Sequence, residues 1–181
     1  MKLSGSNIIL AQRQLVWDAL NNPDVLKDTI PGAQSVTQTN KDEFEAVVEA
    51  KVGPVKAKFT GKIKLTDIDP PNGYKISGQG QGGAAGFAKG SAEVNLIDNE
   101  DQTTTLNYTV DAQIGGKLAQ IGQRLVQSTA ISLSEQFFDN LSKRFVEDTV
   151  GEIEEDNKVA LKDKNYILNL FNSSGIRVKF I

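Results

Sequence analysis

There is no cysteine and no histidine among the 181 residues. That removes structural disulfides, thiolate and imidazole metal ligands, cysteine nucleophiles and the usual general base near neutral pH. An excess of positive charge is lacking too: 20 Lys and Arg stand against 23 Asp and Glu, a net charge of −3. This is too mild and of the wrong sign for nucleic-acid binding through phosphates. No apolar run approaches the ~20 residues that cross a bilayer, and Met1 to Leu10 alternate instead of forming the apolar core of a signal peptide. No acidic loop has the spacing of an EF-hand. Neither a metal nor a cofactor is expected, and the chain reads as a cytoplasmic protein with one ordinary-sized domain.

What is present is a change of period along the chain. Residues 2–10 read as a strand, Ala11 to Leu20 as a short amphipathic helix with Trp17 on it, and Asn22-Pro23 as the cap and first position of a second helix that Pro31-Gly32 ends. From Glu43 the period is two. Phe44, Ala46, Val48, Ala50 and Val52 share one face; beyond the turn Gly53-Pro54, so do Val55, Ala57, Phe59, Gly61, Ile63 and Leu65. Counting outward from that turn sets Phe44 against Ile63, Val48 against Phe59, Glu49 against Lys58 and Glu45 against Lys62, so apolar partners meet on one face and opposite charges on the other. The row of lysines then reads as a solvated outer face balanced by Glu.

After the loop Asp69-Pro70-Pro71-Asn72-Gly73, the row Tyr74, Ile76, Gly78, Gly80 continues the same face. A further hairpin sets Ala88 to Leu96 beside Leu106 to Ile114 through the polar loop Asp98 to Gln102. Beyond Gly115-Gly116 the pattern is helical to about Glu147, with Leu118, Ile121, Leu125, Leu133, Phe137 and Leu141 on its apolar stripe. An antiparallel sheet and one long helix, each with an apolar side, are expected to cover each other, an α+β fold. The domain is read as 1–148, and 149–181 as an acidic linker with a short apolar tail.

The inward rows are rich in Ala and Gly, too small to fill the space under a helix at native density. A curved sheet with such rows can enclose an apolar cavity of about 300 to 1,000 Å³; the alternative is that Leu125, Phe137 and Phe138 plug it. No inward strand position other than Tyr108 is read as ionisable, so a hydrolytic carboxylate pair is not visible. Gly78-Gln79-Gly80-Gln81-Gly82-Gly83 matches a dinucleotide fingerprint in letters only, because strand pattern follows it where a helix is needed. The candidate ligand-contacting residues are Trp17, Phe44, Val48, Phe59, Ile63, Ile76, Phe87, Val94, Tyr108, Val110, Leu118, Ile121 and Leu125, with no catalytic and no metal-binding residue among them.

Several motifs carry a family resemblance: Ile30-Pro31-Gly32, Val52-Gly53-Pro54-Val55, Asp69-Pro70-Pro71-Asn72-Gly73-Tyr74, the run Gly82 to Gly90 and Gly115 to Gly122. In this order they resemble the CoxG-like proteins, the family of the carbon monoxide dehydrogenase subunit CoxG, within the START/Bet v 1-like (SRPBCC) superfamily, over residues 1 to about 147. The resemblance implies a helix-grip fold, a curved antiparallel sheet wrapped around a long C-terminal helix. It also implies a non-catalytic role: binding a quinone or lipid beside a molybdenum hydroxylase of the carbon monoxide dehydrogenase type, with peripheral contact to the inner face of the membrane. A cyclase or dehydratase using the same cavity, and a ligand-free assembly module, are the alternatives.

Overall fold

Among the described residues, the alternating segments pair as seven antiparallel strands. They are β1 (Lys2–Ile9), β2 (Ala33–Asn40), β3 (Glu43–Val52), β4 (Val55–Asp69), β5 (Gly73–Gln81), β6 (Phe87–Asp98) and β7 (Thr104–Gly115), in the sheet order β1-β7-β6-β5-β4-β3-β2. The computed structural model describes the backbone of residues 1–160 and the side chains of residues 1–145. The chain divides into a unit of Met1–Lys143 and another beginning at Arg144; all side chains placed below belong to the first.

The β3–β4 register is the one that counting from Gly53-Pro54 gives, with Phe44 opposite Ile63, Val48 opposite Phe59, Ala46 opposite Gly61 and Ala50 opposite Ala57. On the outer face Lys62 reaches Glu45 at 3.3 Å and Lys64 reaches Glu43 at 3.2 Å. Glu49 departs from the expected pairing: it takes Lys56 at 2.8 Å, the diagonal neighbour, instead of Lys58 directly opposite. The side-chain hydrogen bond from Lys56 holds the Glu49 carboxyl below its ordinary range and raises Lys56. Glu43 is lowered in the same way by hydrogen bonds from Asn40 and Lys64.

Two short helices connect β1 to β2. α1 (Arg13–Leu20) buries Val16, Trp17, Ala19 and Leu20. α2 (Pro23–Thr29) starts where expected because the Asn22 side chain accepts from the amides of Asp24 and Val25 while Pro23 fills a first-turn position that needs no donor. Gly32 then turns the chain at φ +77°, and its carbonyl accepts from the Glu49 amide at 2.8 Å; a Cβ here would run into the Glu49 carbonyl. β2 escaped the sequence reading, since its residues are mostly polar, as suits an edge strand. The run Gly78 to Gly83 is strand followed by the 3-10 turn Gly83–Ala85, with β6 after it and no helix.

The expected single C-terminal helix is two. α3 (Lys117–Gln120) stops, Gly122 adopts φ +95°, and α4 (Gln123–Ala160) begins. Leu118, Ile121 and Leu125 keep helical spacing across this break, so the apolar period does not betray it. α4 also runs past Glu147, through the acidic stretch Glu152 to Asp156 that was expected to be a linker. The apolar tail expected at Tyr166 to Phe171 and Ile176 to Phe180 lies outside the described residues. Among the described residues no helix is long and apolar enough to cross a membrane, and no group of acidic side chains could hold a metal ion.

Candidate functional site

The inner face of the sheet meets α1, α2 and the first part of α4 around a cavity of about 410 Å³. The sheet supplies Val48 from β3, Tyr74 and Ile76 from β5, Ala92 and Val94 from β6, and Leu106, Tyr108 and Val110 from β7. The helical side supplies Leu20, Leu26, Ile30 and Pro31, and α4 closes it with Leu133, Ser134, Phe137 and Phe138. Strand alternation explains the first set: each residue sits on the inward phase of its strand. Helical spacing i, i+4 explains how Leu133 and Phe137 fall on one side of α4.

Polar atoms in this wall are few. Ser134 donates to its own helix, to the Ala130 carbonyl at 2.9 Å. Tyr108 lies over Gly5, its cross-strand partner, where a Cβ would collide with the ring, and it stacks on Phe138 with centroids 5.6 Å apart. Phe138 in turn meets Phe137 edge-on at 5.2 Å. Tyr74 is only 7% exposed and meets Trp17 edge-on at 5.4 Å. Burial pushes its phenol up to about 12, so it stays a neutral donor across the physiological range. Among the described residues, no hydrogen bond engages the hydroxyl of Tyr74 or of Tyr108. Tyr74 is the ionisable inward residue that the sequence reading passed over, although it stands in the same row as Ile76.

Of the residues expected to contact a ligand, Val48, Ile76, Val94, Tyr108 and Val110 line this cavity. Ile63 lines an adjoining apolar hollow of about 320 Å³, which shares Ile76, Ala92 and Val110 with the first. Trp17 stands behind the wall against Tyr74, and Phe44 is buried at the start of β3. Phe59 packs against Gly82, Leu118 is buried in α3, Ile121 lies at the α3–α4 junction, and Leu125 is 41% exposed with a methyl against Gly53. Phe87 is placed on the wrong face by the sequence reading. It precedes the inward Ala88 by one residue, so it shares the outer row of Lys89 and Ser91, and its ring covers Gly115.

A larger hollow of about 750 Å³ lies on the outer face, among Glu43, Glu45, Lys62, Lys64, Lys89 and Asp111. Volume alone would favour it. Its walls are exposed, solvated and largely ion-paired, whereas the inner cavity is walled by aliphatic and aromatic side chains, the surface against which an apolar molecule gains binding energy.

One polar contact closes the inner site between helices. The Asn140 amide donates to the Thr29 carbonyl at the C-terminus of α2, at 3.1 Å. Replacing Asn140 by Leu leaves that carbonyl unpaired and is expected to cost about 1 kcal/mol in urea denaturation, with faster exchange of the α2 amides; an unchanged midpoint would show that the contact contributes nothing.

A sheet gripping a helix around an apolar cavity defines this protein as a helix-grip protein. The family model for the carbon monoxide dehydrogenase subunit CoxG matches residues 5–146, and the chain belongs to that family. A crystal structure of a conserved protein from Geobacillus kaustophilus is similar, with 33% identity, a TM-score of 0.76 and coverage of 81% of this chain and 96% of that one. The ZhuI aromatase/cyclase from Streptomyces sp. R1128 is 13% identical with a TM-score of 0.61, over 80% of this chain and 92% of its own. A START superfamily protein from Mycobacterium smegmatis gives 13% and 0.61, over 79% and 95%. These last two share the fold. A search of curated protein sequences returned no significant match.

Proposed function

We propose that this protein holds a neutral, apolar small molecule of the quinone or lipid class in the inner cavity without converting it chemically. It does so as an accessory to a molybdenum hydroxylase of the carbon monoxide dehydrogenase type, from the cytoplasmic side and in peripheral contact with the membrane. The observation that carries the reading is the lining: a wall of aliphatic and aromatic side chains in which, among the described residues, the only polar groups on side chains are the hydroxyls of Tyr74, Tyr108 and Ser134. Such a wall binds by removing apolar surface from water, at roughly 25 cal/mol per Å². It offers neither a carboxylate nor an ammonium group for acid–base work. The family description supports the accessory role, since it names a component of carbon monoxide dehydrogenase.

The lining also decides between ligands. Among the described residues no Lys or Arg faces the cavity, so a fatty-acid carboxylate drawn inside would be buried unpaired, at a cost of several kcal/mol. A quinone carbonyl, by contrast, needs only a hydroxyl donor. Titration followed by fluorescence of the single tryptophan, Trp17, is expected to saturate with decylubiquinone at micromolar concentration, about 8 kcal/mol. Palmitate at pH 7 is expected to bind at least about tenfold more weakly. Absence of a saturable change with the quinone, or equal binding of palmitate, would overturn the reading.

A further inference from the structure

We infer that the site is directional: a carbonyl-bearing head group is held at Tyr74, and an aliphatic chain runs from it along the inward row of β5 over a glycine and alanine floor whose far end is set by Gly80. The inference rests on the proposed reading of the cavity and assigns an orientation and a length gauge within it.

Three observations meet here. First, Tyr74 is more than nine-tenths buried, lines the cavity and has no hydrogen-bond partner for its hydroxyl among the described residues. The hydroxyl oxygen is not itself sealed off, since among the described residues the only fully enclosed side-chain nitrogen or oxygen without a partner is Arg13 Nε; it therefore keeps a donor free for a ligand acceptor in the cavity that Tyr74 lines. Second, the adjoining hollow of about 320 Å³ continues the main cavity through Ile76, Ala92 and Val110 and is floored by Gly61, Gly78, Gly80, Ala88 and Ala112. Tyr74, Ile76, Gly78 and Gly80 are successive inward positions of one strand, so at 3.2 to 3.4 Å per residue the row from the hydroxyl-bearing residue to Gly80 spans roughly 20 Å.

Third, nothing in the backbone requires glycine at position 80. Gly80 lies within a strand, outside the left-handed region, and a Cβ built on it meets no atom within 4 Å. Gly90 across the sheet is the contrast, because a Cβ there would run into the Asp111 carbonyl. Glycine weakens a strand interior; where neither twist nor crowding asks for it, the space above it is what the missing side chain provides.

The test compares 2,3-dimethoxy-5-methylbenzoquinone bearing no side chain with the same ring bearing a decyl chain; the absence of cysteine prevents thiol adducts of the bare quinone. In the wild-type protein the decyl compound is expected to bind at least roughly tenfold more tightly, because each buried methylene contributes roughly fourfold. Gly80→Leu blocks the far end of the row and should lower the ratio of the two affinities severalfold, by the methylenes that can no longer be buried there. Ala112→Leu, on the neighbouring floor, should lower the ratio in the same direction and serves should the first variant fold poorly by circular dichroism. Tyr74→Phe should weaken both ligands by a common factor of roughly ten and leave their ratio unchanged. A wild-type ratio preserved in folded Gly80→Leu and Ala112→Leu would overturn the inference alone. Failure of either quinone to bind the wild-type protein would overturn the underlying reading and this inference with it.

Discussion

Ala92→Phe is expected to abolish quinone binding, with a loss of about a hundredfold or more in affinity, and to leave the protein as stable as before or more so. Ala92 lies where the two inner hollows meet, so a phenyl ring there occupies the space in which a ligand would lie. The sign of the stability change carries the argument. In a filled core, an added ring forces neighbours off their rotamers and costs about 1 to 3 kcal/mol; in a real void, it gains contacts and apolar burial. Calorimetric titration with decylubiquinone and a thermal melt of the same sample measure both quantities and keep Trp17 as the single tryptophan. A melting temperature several degrees lower, with binding retained, would mean that α4 side chains already plug the space.

Tyr74 produces the second large effect, at alkaline pH. Its phenol is raised by burial from an ordinary value near 10 to about 12, so the folded protein retains a proton that the unfolded chain gives up. The group's contribution is fully present below pH 10 and is lost as pH rises towards 12, for a total of about 3 kcal/mol. Urea midpoints of the wild-type protein should therefore fall across that window, and those of Tyr74→Phe should fall by correspondingly less. Tyrosine absorbance at 295 nm gives an independent check, since in the folded protein the Tyr74 phenol should ionise only near pH 12. Parallel alkaline profiles for the two proteins would show that the Tyr74 hydroxyl reaches water.

These expectations depend on features that differ in how plainly the sequence displays them. The β3–β4 hairpin is legible residue by residue, because a two-residue turn, strict alternation and opposite charges on the outer rows all specify one register. The cavity is legible as a deficit of side-chain volume, through Ala46 opposite Gly61, Gly78 opposite Gly90 and Gly80 opposite Ala88. Its location along the rows is not. Val48, Ile76, Val94, Tyr108 and Val110 reach it, whereas Phe59 is turned towards Gly82 and Leu125 towards Gly53, because the walls are completed by α1, α2 and α4, whose placement no strand period encodes. Leu26, Ile30 and Pro31 enter the site from a helix end and a turn, where no period exists to read. Phe87 is a different kind of miss: a large aromatic named as a ligand contact against the phase of its own strand.

The sheet order has a consequence for how the chain is made. β2 to β6 pair with neighbours close in sequence, and each hairpin can form as soon as it is synthesised, whereas β1 pairs only with β7, and the Met1 carbonyl receives the Ala112 amide from 111 residues away. β1 is thus made well before the strand it pairs with. Until β7 emerges, Leu3 and Ile9 lack the strand they pair beside, and a chaperone that escorts the chain has that stretch to bind.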